Sequence, residues 1–315
     1  MNSNEAPTII YDKANYVAQG GFWNGNILIN KLEETPSNKK DKSQKNINII
    51  STKEISPITQ MKIDLSETFV ICTNKIGIIY IFTINPTNKG EWSLKKIIQD
   101  NQKEISCIDL NENLNIFVAC DKEGYINLYT FPECKLFNSY KLNEANLPSN
   151  ININDVSIST TMQINAIQNS IYVDHVIISQ TPLPCLIFYI KSRKSLSVFS
   201  INFHFINEIK LTYEIVPNGI KKYSDYFSED FLFIYNSKEK VIDVYNIIDL
   251  NIITKSKKIN YTFIDFHFSI EMDHALIMVK TNEEKKADNQ RDKNDQINHK
   301  ILVLTSPGRG DVGLF

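Results

Sequence analysis

Apolar and polar residues alternate along most of this chain with a period of two, in short runs broken by polar or glycine-containing turns, a pattern that predicts β-strands. The stretch ITQMKIDLSETFVICTNKIGIIYIF (58–82) reads as an apolar strand, a polar turn, a second apolar strand, a tight turn at Gly77 and an alternating third strand. Residues 105–129, ISCIDLNENLNIFVACDKEGYINLY, repeat that order with one residue of slippage. Asp64-Leu65 matches Asp109-Leu110, Cys72 matches Cys120, and Gly77-x-Ile79-x-Ile81 matches Gly124-x-Ile126-x-Leu128.

The two glycines lie 47 residues apart, close to the length of one propeller blade. The same ending occurs upstream in Gly25-x-Ile27-x-Ile29, and weaker copies without a turn glycine follow in SRKSLSVFS (192–200) and SKEKVIDVYN (237–246). A last repeat runs from TFIDFHFSI (262–270) through HALIMVK (274–280) to HKILVLTS (299–306). Strand faces of this length cannot bury themselves alone, so the units must stack on neighbours, and radial closure leaves few exposed edges. The expectation is all-β: a single WD-repeat-like β-propeller domain over 1–315, with six to seven blades. Loop insertions fall at 30–50, 143–165 and 281–298, and a tail at 307–315; loops accept such additions at low entropic cost.

Composition narrows the function. Hydrophobic residues make up 42% and aromatics 10% of the chain, with 17 Phe and 14 Tyr, which suits half-buried pleated surfaces. A formal net charge of -2 supplies no overall positive field for a polyanion, so nucleic acid is not expected as a partner. The cysteines Cys72, Cys107, Cys120, Cys134 and Cys185 form no Cys-x-x-Cys pair, so they read as reduced, buried small hydrophobes rather than a zinc site or disulfide framework. The opening residues lack a basic segment followed by an apolar run, which points to a cytoplasmic location.

The search for chemistry yields no catalytic, cofactor-binding or metal-ligating residues. Asp265 and His267 share one face of a strand, a geometry compatible with metal ligation, but they read as structural. No nucleophile elbow, dinucleotide-binding or phosphate-binding glycine motif occurs. Arg309-Gly310-Asp311 and the acceptor triplet Asn260-Tyr261-Thr262 have meaning outside cells and read as chance here. Lys39, Lys40, Lys42 and Lys45 form a basic cluster that reads as solvated, which leaves membrane association at most indirect.

The segment YVAQGGFWNGNILI (16–29) resembles the opening of the WD-repeat propeller that follows the BEACH domain in neurobeachin-like and lysosomal-trafficking-regulator-like proteins. Gly21, Phe22, Trp23 and Asn24 stand on the family signature, with Asn24 where the family has Asp. EISCIDLNENLNIFVACDKEGYINLYTF (104–131) resembles the family blade that ends in a Gly-containing turn and a hydrophobic strand, CLIFYIKSRKSLSVFSINFHFINEIKL (185–211) resembles the family's next blade, and the likeness runs with gaps over roughly residues 11–270. Phe82-Thr83, Tyr129-Thr130, Phe199-Ser200 and Tyr245-Asn246 stand where the Trp-Asp dipeptide would fall. The resemblance implies a non-catalytic scaffold binding trafficking or autophagy proteins, either part of a larger protein whose first blade lies upstream or a free-standing relative. It leaves open a propeller from an unrelated scaffold or coat complex, or a ligand-binding or enzymatic propeller. Phe22 and Trp23 lie at a strand ending of the repeat and are expected to be buried between blades.

Overall fold

The computed structural model describes residues 7–10, 16–32, 47–52, 54–101, 103–143, 147, 171–224, 229–268, 274–281 and 298–305. Apart from one 3-10 turn, Lys191–Arg193, every regular element in it is a strand. The chain divides into two compact units, Met1–Ile178 and Ser179–Phe315.

The first unit contains three antiparallel four-stranded sheets in which sequence neighbours pair. The first holds β1 (Thr8–Ile10), β2 (Tyr16–Gln19), β3 (Ile27–Lys31) and β4 (Ile47–Ile50). The second holds β5 (Ile58–Ile63), β6 (Phe69–Asn74), β7 (Ile79–Ile84) and β8 (Trp92–Ile98). The third holds β9 (Ile105–Asn111), β10 (Ile116–Asp121), β11 (Tyr125–Thr130) and β12 (Leu136–Lys141). A fourth sheet opens with β13 (His175–Ser179), the strand at which the chain passes into the second unit, and continues through β14 (Cys185–Ile190), β15 (Ser195–Ser200) and β16 (Phe205–Lys210). The second unit goes on with β17 (Ile220–Ser224), β18 (Asp230–Asn236), β19 (Val241–Asn246) and β20 (Ile252–Lys255). A three-stranded sheet of β21 (Thr262–Phe268), β22 (His274–Thr281) and β23 (Asn298–Thr305) follows.

Both faces of the middle strands are buried, and within each unit neighbouring sheets pack face to face. On one face of the second sheet Cys72, Tyr80 and Phe82 join Ala18, Ile27 and Ile29 of the first. On its other face Ile71, Ile79 and Ile81 meet Phe117, Ala119 and Tyr129 of the third. In the second unit Phe233, Tyr235 and Val244 pack with Phe266, Ile277 and Val279 in the same manner. The fourth strands, by contrast, expose Leu94, Leu136, Phe137, Phe205 and Ile252, as the last strand of each sheet has no further sheet to cover it.

The repeat keeps the 47-residue offset of its glycines throughout. Met61 pairs with Cys72 in the second sheet, and Ile108 pairs with Ala119 in the third, so Ala119 is the counterpart of Cys72. Cys120 lies one residue further on, facing the opposite side of its sheet, and Asp109 corresponds to Lys62 rather than to Asp64. A one-residue slip in a strand exchanges its faces, which is why the matched cysteines of the sequence are not structural equivalents, while the matched aspartates stand two residues apart in register.

Three of the turns between second and third strands follow one design, while the β14–β15 turn after Ile190 has no side-chain cap. An Asn or Asp at the end of the second strand accepts backbone N–H groups from the turn: Asn74 from Ile76 and Ile78, Asp121 from Glu123 and Tyr125, Asn236 from Lys238 and Glu239. Each turn then needs a residue with positive φ. Gly77 and Gly124 provide it in the first unit at φ 90° and 86°, whereas Lys194 and Lys240 do so in the second at 50° and 60°. Side-chain capping of the turn by Asn236 helps hold a lysine in a conformation that costs a non-glycine residue about 1 kcal/mol. The insertions between β3 and β4, after Leu147, and between β22 and β23 lie outside the described residues, as do the tail and the cluster Lys39, Lys40, Lys42 and Lys45.

Candidate interaction surface

The segment Gly21-Phe22-Trp23-Asn24 lies in the connection from β2 to β3. Gly21 and Gly25 take φ values of 86° and 76°, Gly25 N–H donates to Phe22 O, and Asn26 N–H donates to the Asn24 carboxamide oxygen at 3.1 Å. Asn24 thus does the turn-capping work an Asp would do in the same place. Gly25 is fixed by its neighbours, since a Cβ there would stand 2.4 Å from Thr52 Oγ1, which itself donates to Gly25 O.

The structure corrects the expected burial of Trp23. The residue occupies the tip of this turn and is 76% exposed, while Phe22 is half-buried. The two flanking glycines bend the chain beyond the end of the sheet, and β3 starts only at Ile27, so Trp23 never enters the space between sheets. Beside the turn runs the segment 54–57, carrying Ile55 at 78% exposure. Its Pro57 carbonyl accepts the N–H of Lys75 in the next sheet's turn, whose tip shows Ile76 at 55% exposure. Trp23, Ile55 and Ile76 therefore crown one end of the first and second sheets. Large apolar side chains on rigid turns, centred on a Trp, are the composition of protein-binding hot spots. Charges at the corresponding end of the third sheet are balanced, with Lys122 on Glu104 at 2.7 Å and Lys103 on Glu123 at 3.7 Å.

Polar residues on the first strands of successive sheets were absent from the sequence-based site and serve to pin sheets together. In the first unit Lys62 on β5 reaches Asp109 on β9 at 3.2 Å, and Asp109 also accepts the Ile178 N–H at 2.8 Å. In the second, Lys221 on β17 reaches Asp265 on β21 at 2.6 Å and donates to Phe266 O at 2.7 Å. Asp265 and His267, the pair with metal-ligand geometry, come within 3.5 Å, but Lys221 Nζ lies 3.2 Å from His267 Nε2 and supplies the cation itself. Burial would raise the Asp265 carboxyl, but hydrogen bonds from His267 and Lys221 and the Lys221 charge outweigh it and hold the group below the usual carboxylate range. Among the described residues no group of three or more His, Cys, Asp or Glu is placed to hold a metal. All five cysteines are buried and unpaired, and burial pushes the Cys185 thiol up to about 12.

His175, at the start of β13, is the other perturbed group. Loss of solvent, and secondarily the Lys62 charge, lower it from 6.5 to about 4. A group whose folded pKa is depressed gives stability present above its unfolded pKa and lost as pH falls, because the unfolded chain then binds the extra proton. Between pH 6.5 and 4 the protein is expected to lose about 3 kcal/mol through this residue. Urea unfolding at pH 7 and pH 5 checks this: the midpoint should drop on acidification, and His175→Gln should flatten that drop.

The geometry defines an all-β, propeller-like protein with exposed turns. No family model matches the chain, and no characterised protein matches it in sequence. Fold comparison, in contrast, matches 1305 solved chains, so the architecture is a widely shared one and carries fold rather than activity. A chain in the crystal structure of the mitotic checkpoint complex is similar with a TM-score of 0.57 at 9% identity, over 89% of this chain and 78% of that one. The computationally designed protein Ika8 is similar with a TM-score of 0.52 at 12% identity, over 84% of this chain. This chain spans only 64% of the length of that designed protein. No helix among the described residues is long and apolar enough to cross a membrane.

Proposed function

We propose that the chain is a non-catalytic, WD-repeat-like β-propeller that holds protein partners, serving as the propeller part of a BEACH-type protein in membrane and vesicle trafficking or autophagy. The observation that carries the scaffold reading is Trp23, held 76% exposed on a turn whose backbone is fixed at both ends. A rigid sheet framework presenting short turns suits partner binding, since the loops lose little freedom on association. The Gly21-Phe22-Trp23-Asn24 signature and the 185–211 stretch support the BEACH-type assignment, and with it a cytoplasmic location peripheral to vesicle or organelle membranes. The likeness to a chain from a multiprotein assembly fits a scaffold without selecting the assembly.

The test is capture from cell lysate with the wild-type chain and with Trp23→Ala, each first shown by thermal unfolding to fold cooperatively. Trafficking or autophagy proteins bound by the wild type and reduced at least about thirtyfold by the substitution, as befits a hot-spot residue worth about 2 kcal/mol or more, support the proposal. A folded bait that retains none of them overturns the BEACH-type assignment. Retention of a different complex through Trp23 keeps the scaffold and replaces its setting.

A further inference from the structure

In the second unit the turns at one end of the sheets are lined with lysine. The β14–β15 turn carries Lys191, Arg193 and Lys194, and the β18–β19 turn carries Lys238 and Lys240. These turns belong to one surface, because a single segment touches both: Leu211 N–H donates to Lys194 O, and Ser237 Oγ donates to Glu214 O. The chain leaving β20 adds Lys257 and Lys258, and Ile259 N–H donates to Lys240 O, which fixes them beside the second turn. The carboxylates available are fewer and already engaged. Glu214 faces Lys191 and Lys194 at 3.5 and 3.9 Å, Glu208 takes Arg193 at 3.6 Å, and Glu239 and Asp243 take Lys255 at 2.6 and 3.6 Å. Lys238, Lys240, Lys257 and Lys258 are exposed and have no acidic partner among the described residues.

We infer that this end of the second unit is an electrostatic docking face for an anionic membrane surface. The occupant follows from the kind of cation and its layout. The unpaired cations are all lysines, hydrated point charges on flexible stems, while the one arginine is committed to Glu208. Geometrically specific recognition of a carboxylate or phosphate favours the arginine fork, whereas diffuse attraction to a field of headgroups needs only charge and reach. Single-stranded nucleic acid would require aromatic platforms interleaved with the lysines, and among the described residues the exposed aromatic ring at this end is limited to Tyr261, 39% exposed. Two of the lysines, Lys194 and Lys240, take positive φ as the last residues of their turns, directly before β15 and β19. The inference uses none of the residues around Trp23 and stands or falls apart from the partner-binding proposal.

The experiment is co-sedimentation of the full chain with vesicles of phosphatidylcholine alone and of phosphatidylcholine with phosphatidylserine, at low and at high salt. Wild type is expected to bind the anionic vesicles only, and to release them as salt rises. Each lysine contributes about fivefold, so neutralising Lys238, Lys240, Lys257 and Lys258 to Gln weakens partition about 600-fold, and reversing them to Glu weakens it further. Reversing Lys31 and Lys135 in the first unit leaves it within about fivefold, and Trp23→Ala leaves it unchanged. Because all four lysines are exposed, circular dichroism should show the quadruple variant folded; Gln at the same positions provides a milder series with the same direction. A folded wild type with no preference for anionic vesicles overturns the inference. Binding of a polyglutamate peptide or an RNA oligomer in place of vesicles overturns the lipid assignment.

Discussion

Gly124→Ala is expected to destabilise the protein by about 3 kcal/mol, enough to lower the thermal midpoint by several degrees. Two costs add. The residue sits at φ 86°, where an alanine is strained whatever the space around it, and its Cβ would stand 2.4 Å from the Ile171 carbonyl and 3.0 Å from that of Leu142. Both obstacles are backbone, so neither can swing aside. Gly90→Ala is the matched comparison: its φ is ordinary and the nearest atoms, Asn48 Nδ2 at 2.7 Å and Tyr16 Cε1 at 3.0 Å, belong to side chains that can give way. That change should cost less than about 1 kcal/mol. Urea midpoints of the two variants decide the matter, and equal losses would show that the turn is not held by the backbone contacts described.

The same turn shows how far the sequence could be read. Alternation marked the strands, and the glycine spacing gave the repeat its correct length, because both depend on neighbours close along the chain. Facing was harder. Asp64 and Asp109 look alike in an alignment, but Asp64 accepts N–H groups from Thr68 and Phe69 in a turn, whereas Asp109 reaches Lys62 on the preceding sheet. Two residues of register separate those roles, and hydrophobic pattern alone resolves register only where one face is polar; here both faces of the middle strands are buried. Trp23 departs from the expected burial for a related reason: it directly precedes the repeat's ending Gly25-x-Ile27-x-Ile29 in sequence, but the paired glycines around it divert the chain outward. Gly21 and Gly25 were the available signal, since two glycines bracketing a Phe-Trp-Asn triplet ask for positive φ on both sides. The positive φ at Lys194 and Lys240 carried no such signal, because neither position holds a glycine.

Asp230→Ala is expected to cost the second unit about 3 to 5 kcal/mol, since it removes one partner of a buried charge pair. The Asp230 side chain is fully buried and accepts from Ser224 Oγ, from Ser179 Oγ at 2.7 Å, from the Gln180 N–H at 3.0 Å and from Lys222 at 3.2 Å. No local pattern announces this, as Ser179 and Gln180 lie about fifty residues before it, and only folding brings their donors together. Burial alone would raise the carboxyl, but Ser224, Lys222, Ser179 and Gln180 overcome it and hold it below 3.8. Its contribution is therefore complete above the unfolded value and lost as pH falls through the depressed folded one, a window below that of His175. Two acid losses should be separable in urea midpoints taken from pH 7 downward: the first abolished by His175→Gln, the second by Asp230→Asn, which keeps the shape and removes the charge. Asp230 begins β18, and the lysines of the β18–β19 turn stand at that strand's other end. Asp230→Ala should then reduce vesicle binding only in proportion to the unfolded fraction, whereas reversing Lys238 and Lys240 should reduce it in a protein of unchanged stability. If Asp230→Ala abolished binding while the second unit stayed folded, the basic face would extend beyond the turns described.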